Sequence, residues 1–326
     1  MKIAIVGASG EVGRMMITCL EEFDLRVETL DLYASERSAG QTLYFGDRPI
    51  EVKLLEENSL LRHYDYVLFS AGAGVALSYA PIATEACNVV IDNSSAFRGD
   101  GNIPLVVPEI NGSLITGYSG IIANPNCTTI QMVLPLAVLD GLYGLKKVVV
   151  STYQAVSGSG HKGISTLERQ RAGSRDKGIY PEIIDLNVIP QIGSFQDNGY
   201  SQEEEKLKHE TRKILSKPDL EVCATTVRVP VIYGHSESVY AEFDQAVDLF
   251  EAAEALNNAE SIEFDENTYV TPLDLCSSNS SHVCRLRYGT DKSSICFWNV
   301  GHNVRLGAAT NAVRILIRHA QKEGLL

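Results

Sequence analysis

The chain of 326 residues has no apolar run long enough to span a bilayer, no C-x-x-C, no H-E-x-x-H and no internal repeat. Each absence removes a class of function. Without a run of about 20 apolar residues there is no transmembrane helix. The seven cysteines (19, 87, 127, 223, 276, 284 and 296) are odd in number and unclustered, which argues against both a disulfide framework and a structural zinc site. The seven histidines show no paired-ligand spacing, so no metal is expected. Basic residues are also in deficit: 28 Lys and Arg against 41 Asp and Glu give a net charge of −13, which speaks against nucleic acid as a partner. The opening "MKIAIVGASG" lacks the long apolar core of a secretory signal and reads as a first strand, so the expected location is cytoplasmic.

What remains is the composition of a soluble globular protein, with 44% hydrophobic and 21% charged residues, and a length sufficient for two domains. Residues 2–6 form a β-rich run, and 11–22 carry a helical pattern. "VETLDLYAS", "YDYVLFSAG", "NVVIDNSS", "PLVVPEI" and "GIIANPN" read as further strands, with helical segments between some of them. Such alternation predicts a parallel α/β sheet with crossover helices. Beyond Cys127 the strands lengthen and helices thin out, which predicts a more antiparallel α+β domain. The terminal segment sets Leu306, Ala309, Val313, Leu316, Ile317 and Ala320 on one helical face, with Arg314, Arg318 and Lys322 opposite. The expected organisation is a Rossmann-like dinucleotide-binding domain, 1–127, an α+β substrate and oligomerisation domain, 128–305, and a C-terminal helix, 306–326, returning to the first domain.

Gly7, Gly10 and Gly13 form G-x-x-G-x-x-G between the first strand and the first helix. In that context glycines permit a tight turn, and the helix N-terminus faces a pyrophosphate. Ser9, Glu11 and Val12 complete the candidate loop. Asp31 lies inside the second strand rather than at its end, where an acid would hold a ribose 2′-hydroxyl. The strand runs into Ser35, Arg37 and Ser38, a guanidinium and two hydroxyls suited to a 2′-phosphate, so NADP is favoured over NAD.

The stretch "NPNCTTIQ" puts Cys127 where a strand gives way to a helix start. Cys127 is either a small apolar filler or a nucleophile whose thiolate the helix amides favour. Gln154 ends a strand before the Ser-Gly run of Ser157 and Gly158. Arg228 and His235 are seven residues apart across a strand end and a turn, and Arg98 follows another strand. Taken singly, each is as readily a structural or solvated side chain.

Together, "GASGEVG", "ASERSAG", "DNSSAFR", "LVVPEIN", "NPNCTTIQ", "STYQAVSGSG", "NGYSQEEEKLKHET", "RVPVIYGHSES" and "TPLD" resemble, in order and over nearly the whole chain, the bacterial aspartate-semialdehyde dehydrogenases. The resemblance implies that Cys127 is a nucleophile forming a thioester and His235 its acid/base partner, titrating near neutrality. It implies that Gln154 orients the substrate, Arg228 pairs with its α-carboxylate, and Arg98 and Lys206 hold phosphate. It also implies that Glu203 meets the α-ammonium and that Asn303 reaches the nicotinamide. Of the three glutamates 203–205, Glu204 fits a capping box with Ser201, leaving Glu203 and Lys206 on one helix face. Thr128 and His161 depart from the family's usual residues. The implied reaction is NADPH-dependent reductive dephosphorylation of L-aspartyl 4-phosphate to L-aspartate 4-semialdehyde, in a homodimer or homotetramer. The alternatives are an N-acetyl-glutamyl-phosphate reductase-like enzyme, a non-catalytic paralogue and a cysteine hydrolase.

Overall fold

Along the first strand, β1 (Lys2–Val6), Ile3 and Ile5 enter one apolar cluster while Ala4 and Val6 enter another. That alternation requires both faces of the sheet to be covered, as in a parallel α/β fold. The computed structural model describes all 326 residues, and the chain divides after Asn126 and after Gly307 into two units. Cys127, placed by the sequence at the end of the first domain, is the first residue of the second unit.

In the first unit β1 is joined by β2 (Thr29–Ala34), β3 (Thr42–Phe45), β4 (Arg48–Leu54), β5 (Tyr66–Phe69), β6 (Val89–Asp92) and β7 (Gly120–Ala123). The order is β3-β4-β2-β1-β5-β6-β7, parallel throughout except for the antiparallel edge pair β3–β4. Helix α1 (Glu11–Glu22) packs Met16, Ile17 and Leu20 on one face, and α2 (Ala73–Thr84) packs Ala76, Ala80 and Ala83 on the other. The run 104–110, which reads as a strand, contributes only a single bridge, Leu105 to Ala123. Prolines 104 and 108 lack the N–H that a ladder needs, and Pro108 instead opens the short helix α3 (Pro108–Asn111).

The second unit opens with α4 (Cys127–Tyr143) and contains β8 (Leu145–Gln154), α5 (His161–Arg171), α6 (Gln202–Ile214), β9 (Glu221–Arg228), β10 (His235–Phe243), α7 (Leu249–Asn257), β11 (Ile262–Asp265), β12 (Ser281–Tyr288) and β13 (Ser294–Gly301). Its six-stranded sheet runs β11-β12-β13-β10-β8-β9. The sheet is mixed: β8–β9, joined through α5 and α6, and β11–β12, joined by the segment 266–280, are parallel, and the remaining pairs are antiparallel. Helices α4, α6 and α7 lie on one face. The other face leaves Val149 and Tyr153 exposed, and Tyr153 packs on Trp298 with ring centroids 5.5 Å apart.

Helix α8 (Asn311–Lys322) returns to the first unit, burying Val313, Ile315, Leu316 and Ala320 in the cluster that α1 also enters. A π-turn, Arg305–Thr310, precedes it. Arg314, placed by the sequence opposite the apolar face, is ion-paired with Glu109 at 3.0 Å.

Candidate active site

The glycine loop of the first unit is built for close backbone approach. Gly7 has φ +85°, and a Cβ there would lie 2.9 Å from the Ala71 nitrogen. A Cβ on Gly13 would lie 2.3 Å from the Gly7 carbonyl oxygen, so this glycine lets helix meet loop. Gly10 caps α1 without any side-chain hydrogen bond, and Ser9, Glu11 and Val12 flank it with partial exposure. Asp31 is committed elsewhere: Lys53 Nζ lies 2.7 Å away, and the Tyr64 hydroxyl donates to it at 2.5 Å. Burial opposes its ionisation, but those hydrogen bonds and the charges of Lys53 and Arg62 outweigh burial and hold its carboxyl below the usual range. Ser35 and Arg37 are exposed just past β2, and Ser38 is buried. Arg98 is fixed at the strand ends, with Nε donating to the Asn124 carbonyl at 2.8 Å and Nη2 to that of Asn93 at 2.9 Å.

Six of the predicted chemical residues, Cys127, Gln154, Glu203, Lys206, Arg228 and His235, fall in the second unit, and hydrogen bonds link their neighbourhoods. Cys127 opens α4, where helix amides favour an anion. Thr128 beside it accepts a hydrogen bond from Gln154 Nε2, which also donates to Glu203 Oε1 at 3.2 Å. Lys206 Nζ lies 3.1 Å from Glu203 Oε2. Gln154 and Arg228 are register partners across β8 and β9, and Arg228 Nη1 donates to the Ala155 carbonyl at 2.6 Å. The Ala155 N–H in turn donates to Nδ1 of His235 at 3.0 Å. Gly158 closes over the group: a Cβ there would lie 3.1 Å from Arg228 Nη1 and 3.5 Å from His235 Nε2.

The α6 register follows from the capping chemistry. Ser201 Oγ accepts from the Glu204 N–H, while Glu204 Oε2 accepts from the Ser201 N–H at 2.6 Å and Oε1 from that of Thr226 at 2.9 Å. Glu205 points away to Asn198, Lys208 and His209. Glu203 is therefore the one glutamate of the three turned toward Gln154.

His235 requires a correction. The family resemblance implies a group titrating near neutrality. The side chain is fully buried, and burial first, then the Arg228 charge, depress it to about 3 against a smaller opposing effect of Glu203. The imidazole is neutral here, and because Nδ1 accepts from a backbone N–H its proton sits on Nε2. Nε2 has no partner within the protein. The side chain is thus poised as a donor.

Asn303 also has occupied groups: its amide donates to Ser157 Oγ at 2.9 Å, and its oxygen accepts from the Gly234 N–H at 2.9 Å, tying the 157–158 loop to the turn before His235. Sequence inspection misses Gly307. A Cβ there would come 2.6 Å from the Cys127 Cβ. Only its being glycine within the π-turn hints at this role.

Family models agree with this division. The semialdehyde dehydrogenase NAD-binding domain matches residues 2–118, and the semialdehyde dehydrogenase dimerisation domain matches 135–306. The chain is 43% identical to an aspartate-semialdehyde dehydrogenase of Aquifex aeolicus, with 100% of this chain and 99% of the relative covered. It is 42% identical to that of Bacillus subtilis, with 97% and 96% covered. Among solved structures, aspartate semialdehyde dehydrogenase II of Vibrio cholerae complexed with ASA superposes with a TM-score of 0.95 at 40% identity, covering 98% of each chain. The Candida albicans enzyme with NADP, at 24% identity and a TM-score of 0.77 over 100% and 99% of the two chains, shares the fold.

Proposed function

The chain belongs to the aspartate-semialdehyde dehydrogenase family, and from that premise we propose that it reduces L-aspartyl 4-phosphate to L-aspartate 4-semialdehyde with release of phosphate, using NADPH and a thioester on Cys127. The observation that carries the proposal is the linked set of Gln154, Glu203, Lys206, Arg228 and His235 beside a cysteine that opens a helix. A cysteine hydrolase would leave the glycine loop without a purpose. A reductase of an N-acetylated substrate would leave Glu203 without an ammonium to meet.

The Cys127 thiolate attacks the acyl carbon, the C–O bond to phosphate breaks, and phosphate leaves with the electron pair. Amides at the start of α4 and the Nε2–H of His235 stabilise the oxyanion of each tetrahedral species. A dinucleotide held by the Gly7–Gly13 loop would supply the hydride that reduces the thioester carbon. The resulting alkoxide collapses to the aldehyde, returning the bonding pair to Cys127 as thiolate. Arg228 pairs with the α-carboxylate, Glu203 takes the ammonium, and Lys206 and Arg98 take the phosphate. An anion on Arg228 offsets the charge that depresses His235, so substrate raises the basicity of the imidazole.

The residues present fit a dinucleotide: the Gly7–Gly13 cradle, which a Cβ would fill, suits a pyrophosphate, and the exposed Ser35 and Arg37 with Ser38 suit a 2′-phosphate. Asp31, engaged by Lys53 and Tyr64, is not available to a ribose, which supports NADP over NAD. Ser157, Gly158 and Asn303 are proposed to contact the nicotinamide end. The match to a dimerisation domain, and the open sheet face bearing Val149, Tyr153 and Trp298, support a homodimer or homotetramer. No helix is long and apolar enough to cross a membrane. Phosphate-dependent reduction of NADP⁺ by L-aspartate 4-semialdehyde tests the proposal directly.

A further inference from the structure

Helix α4 contains a proline, Pro135, two turns below Cys127. Proline has no N–H, so the carbonyl four residues earlier, that of Gln131, loses its helical partner. In a buried helix that orphan must be satisfied elsewhere. The sheet supplies two donors: Ser281 Oγ at 2.9 Å and Asn299 Nδ2 at 2.8 Å. Asn299 Nδ2 also donates to Glu237 Oε2 at 3.1 Å. Glu237 lies two residues beyond His235 on the same buried face of β10 and faces Asn299 in register. Gln131 reaches the same strand directly, its side-chain amide donating to the His235 carbonyl at 3.2 Å. Room for it comes from Gly301, the register partner of His235, where a Cβ would lie 2.7 Å from Gln131 Oε1.

We propose that Gln131, Asn299 and Glu237 form a brace that fixes the first turn of α4, and with it Cys127, against the strand that carries His235. This rests on the reading of Cys127 and His235 as the reacting pair. The three are positioning residues. They are fully or almost fully buried, and none has a role in the chemistry described above. Glu237 Oε1 and Gln131 Oε1 both lack a donor. Burial pushes the Glu237 carboxyl well up, against partial lowering by its hydrogen bonds with Gln131 and Asn299, which favours the protonated form of this buried side chain.

Three variants and Cys127→Ser test the brace, with kcat, KM for the semialdehyde and for phosphate, and the pH profile of Cys127 alkylation by iodoacetamide as readouts. Asn299→Leu should lower kcat at least about tenfold per folded molecule while moving either KM no more than about twofold, since misplacement of reacting groups costs rate rather than binding. It should also displace the alkylation profile. Glu237→Gln, which retains one donor and one acceptor, should recover most of the turnover. Pro135→Ala returns an N–H to the Gln131 carbonyl and draws it off the sheet. It should raise or maintain the thermal midpoint yet lower kcat, an outcome that a purely structural role does not give, and it decides the matter if Asn299→Leu fails to fold. Unchanged kcat and alkylation in Pro135→Ala and in folded Asn299→Leu would overturn the brace. A fully active Cys127→Ser would instead overturn the underlying catalytic reading.

Discussion

The backbone N–H of Ala155 donates to Nδ1 of His235 over 3.0 Å, and Nε2 is left facing no acceptor of the protein. One bond therefore sets both the tautomer and the direction in which the imidazole can act. With Arg228 adding to burial in depressing the imidazole to about 3, removing that cation should raise its pKa. Arg228→Leu should show an upward shift of the His235 titration by NMR, and an unmoved or lowered value would contradict the assignment. The stability sign follows. A depressed histidine stays neutral in the fold while the unfolded chain takes up a proton below about pH 6.5, so this contribution is lost as pH falls from about 6.5 toward 3. Thermal melts of His235→Gln should fall less steeply across that window than those of the wild type.

Neighbouring glutamates on α6 should fail in different ways. Glu203 touches Gln154 and Lys206, whereas Glu204 accepts from the Ser201 and Thr226 backbones. Glu203→Gln should reduce kcat/KM for the amino-bearing substrate by roughly tenfold or more, the scale of one charge-assisted bond, with little change in melting. Glu204→Ala should cost about 1–3 kcal/mol of stability by leaving buried N–H groups unmet. Kinetics and a thermal melt on each variant check this, and exchanged behaviour would move the ammonium contact one residue along the helix.

Arg37 should discriminate between cofactors. Arg37→Ala should weaken NADP by roughly tenfold while leaving NAD nearly unchanged, because only NADP loses a charge-assisted contact. Cofactor titration by fluorescence measures both. Equal losses would make Arg37 a structural residue.

Gly307 should matter out of proportion to its size. A methyl group there meets the Cys127 Cβ at 2.6 Å, so Gly307→Ala must displace either the π-turn or the thiol. Overpacking of this kind costs about 1–3 kcal/mol, and Cys127 alkylation should slow even where the protein remains folded. Wild-type alkylation and turnover in Gly307→Ala would remove Gly307 from the account.

The first unit was largely legible because its signals are local. The glycine pattern and the 11–22 helical period lie within one βα unit, and Gly7, Gly13 and α1 fall where they predict. The 104–110 run misled because apolar content suggests a strand while its two prolines withhold ladder donors. In the second unit, Cys127, Gln154 and His235 were assigned catalytic roles only by the family resemblance, while the Ser201–Glu204 capping box gave the α6 register from sequence alone. The protonation of His235 was not legible, since it depends on Ala155 and Arg228 from other segments. Gly307 and the partners of the Gln131 carbonyl were hidden for the same reason: distant parts of the chain impose them.

The central claim is covalent catalysis by Cys127, and the most direct measurement is phosphate-dependent reduction of NADP⁺ by L-aspartate 4-semialdehyde, with wild-type protein and Cys127→Ser in parallel. The account predicts turnover by the wild type that requires phosphate, and none by a folded Cys127→Ser, because a serine alkoxide is far harder to form than a thiolate. Comparable turnover by Cys127→Ser, or wild-type turnover that ignores phosphate, would contradict it.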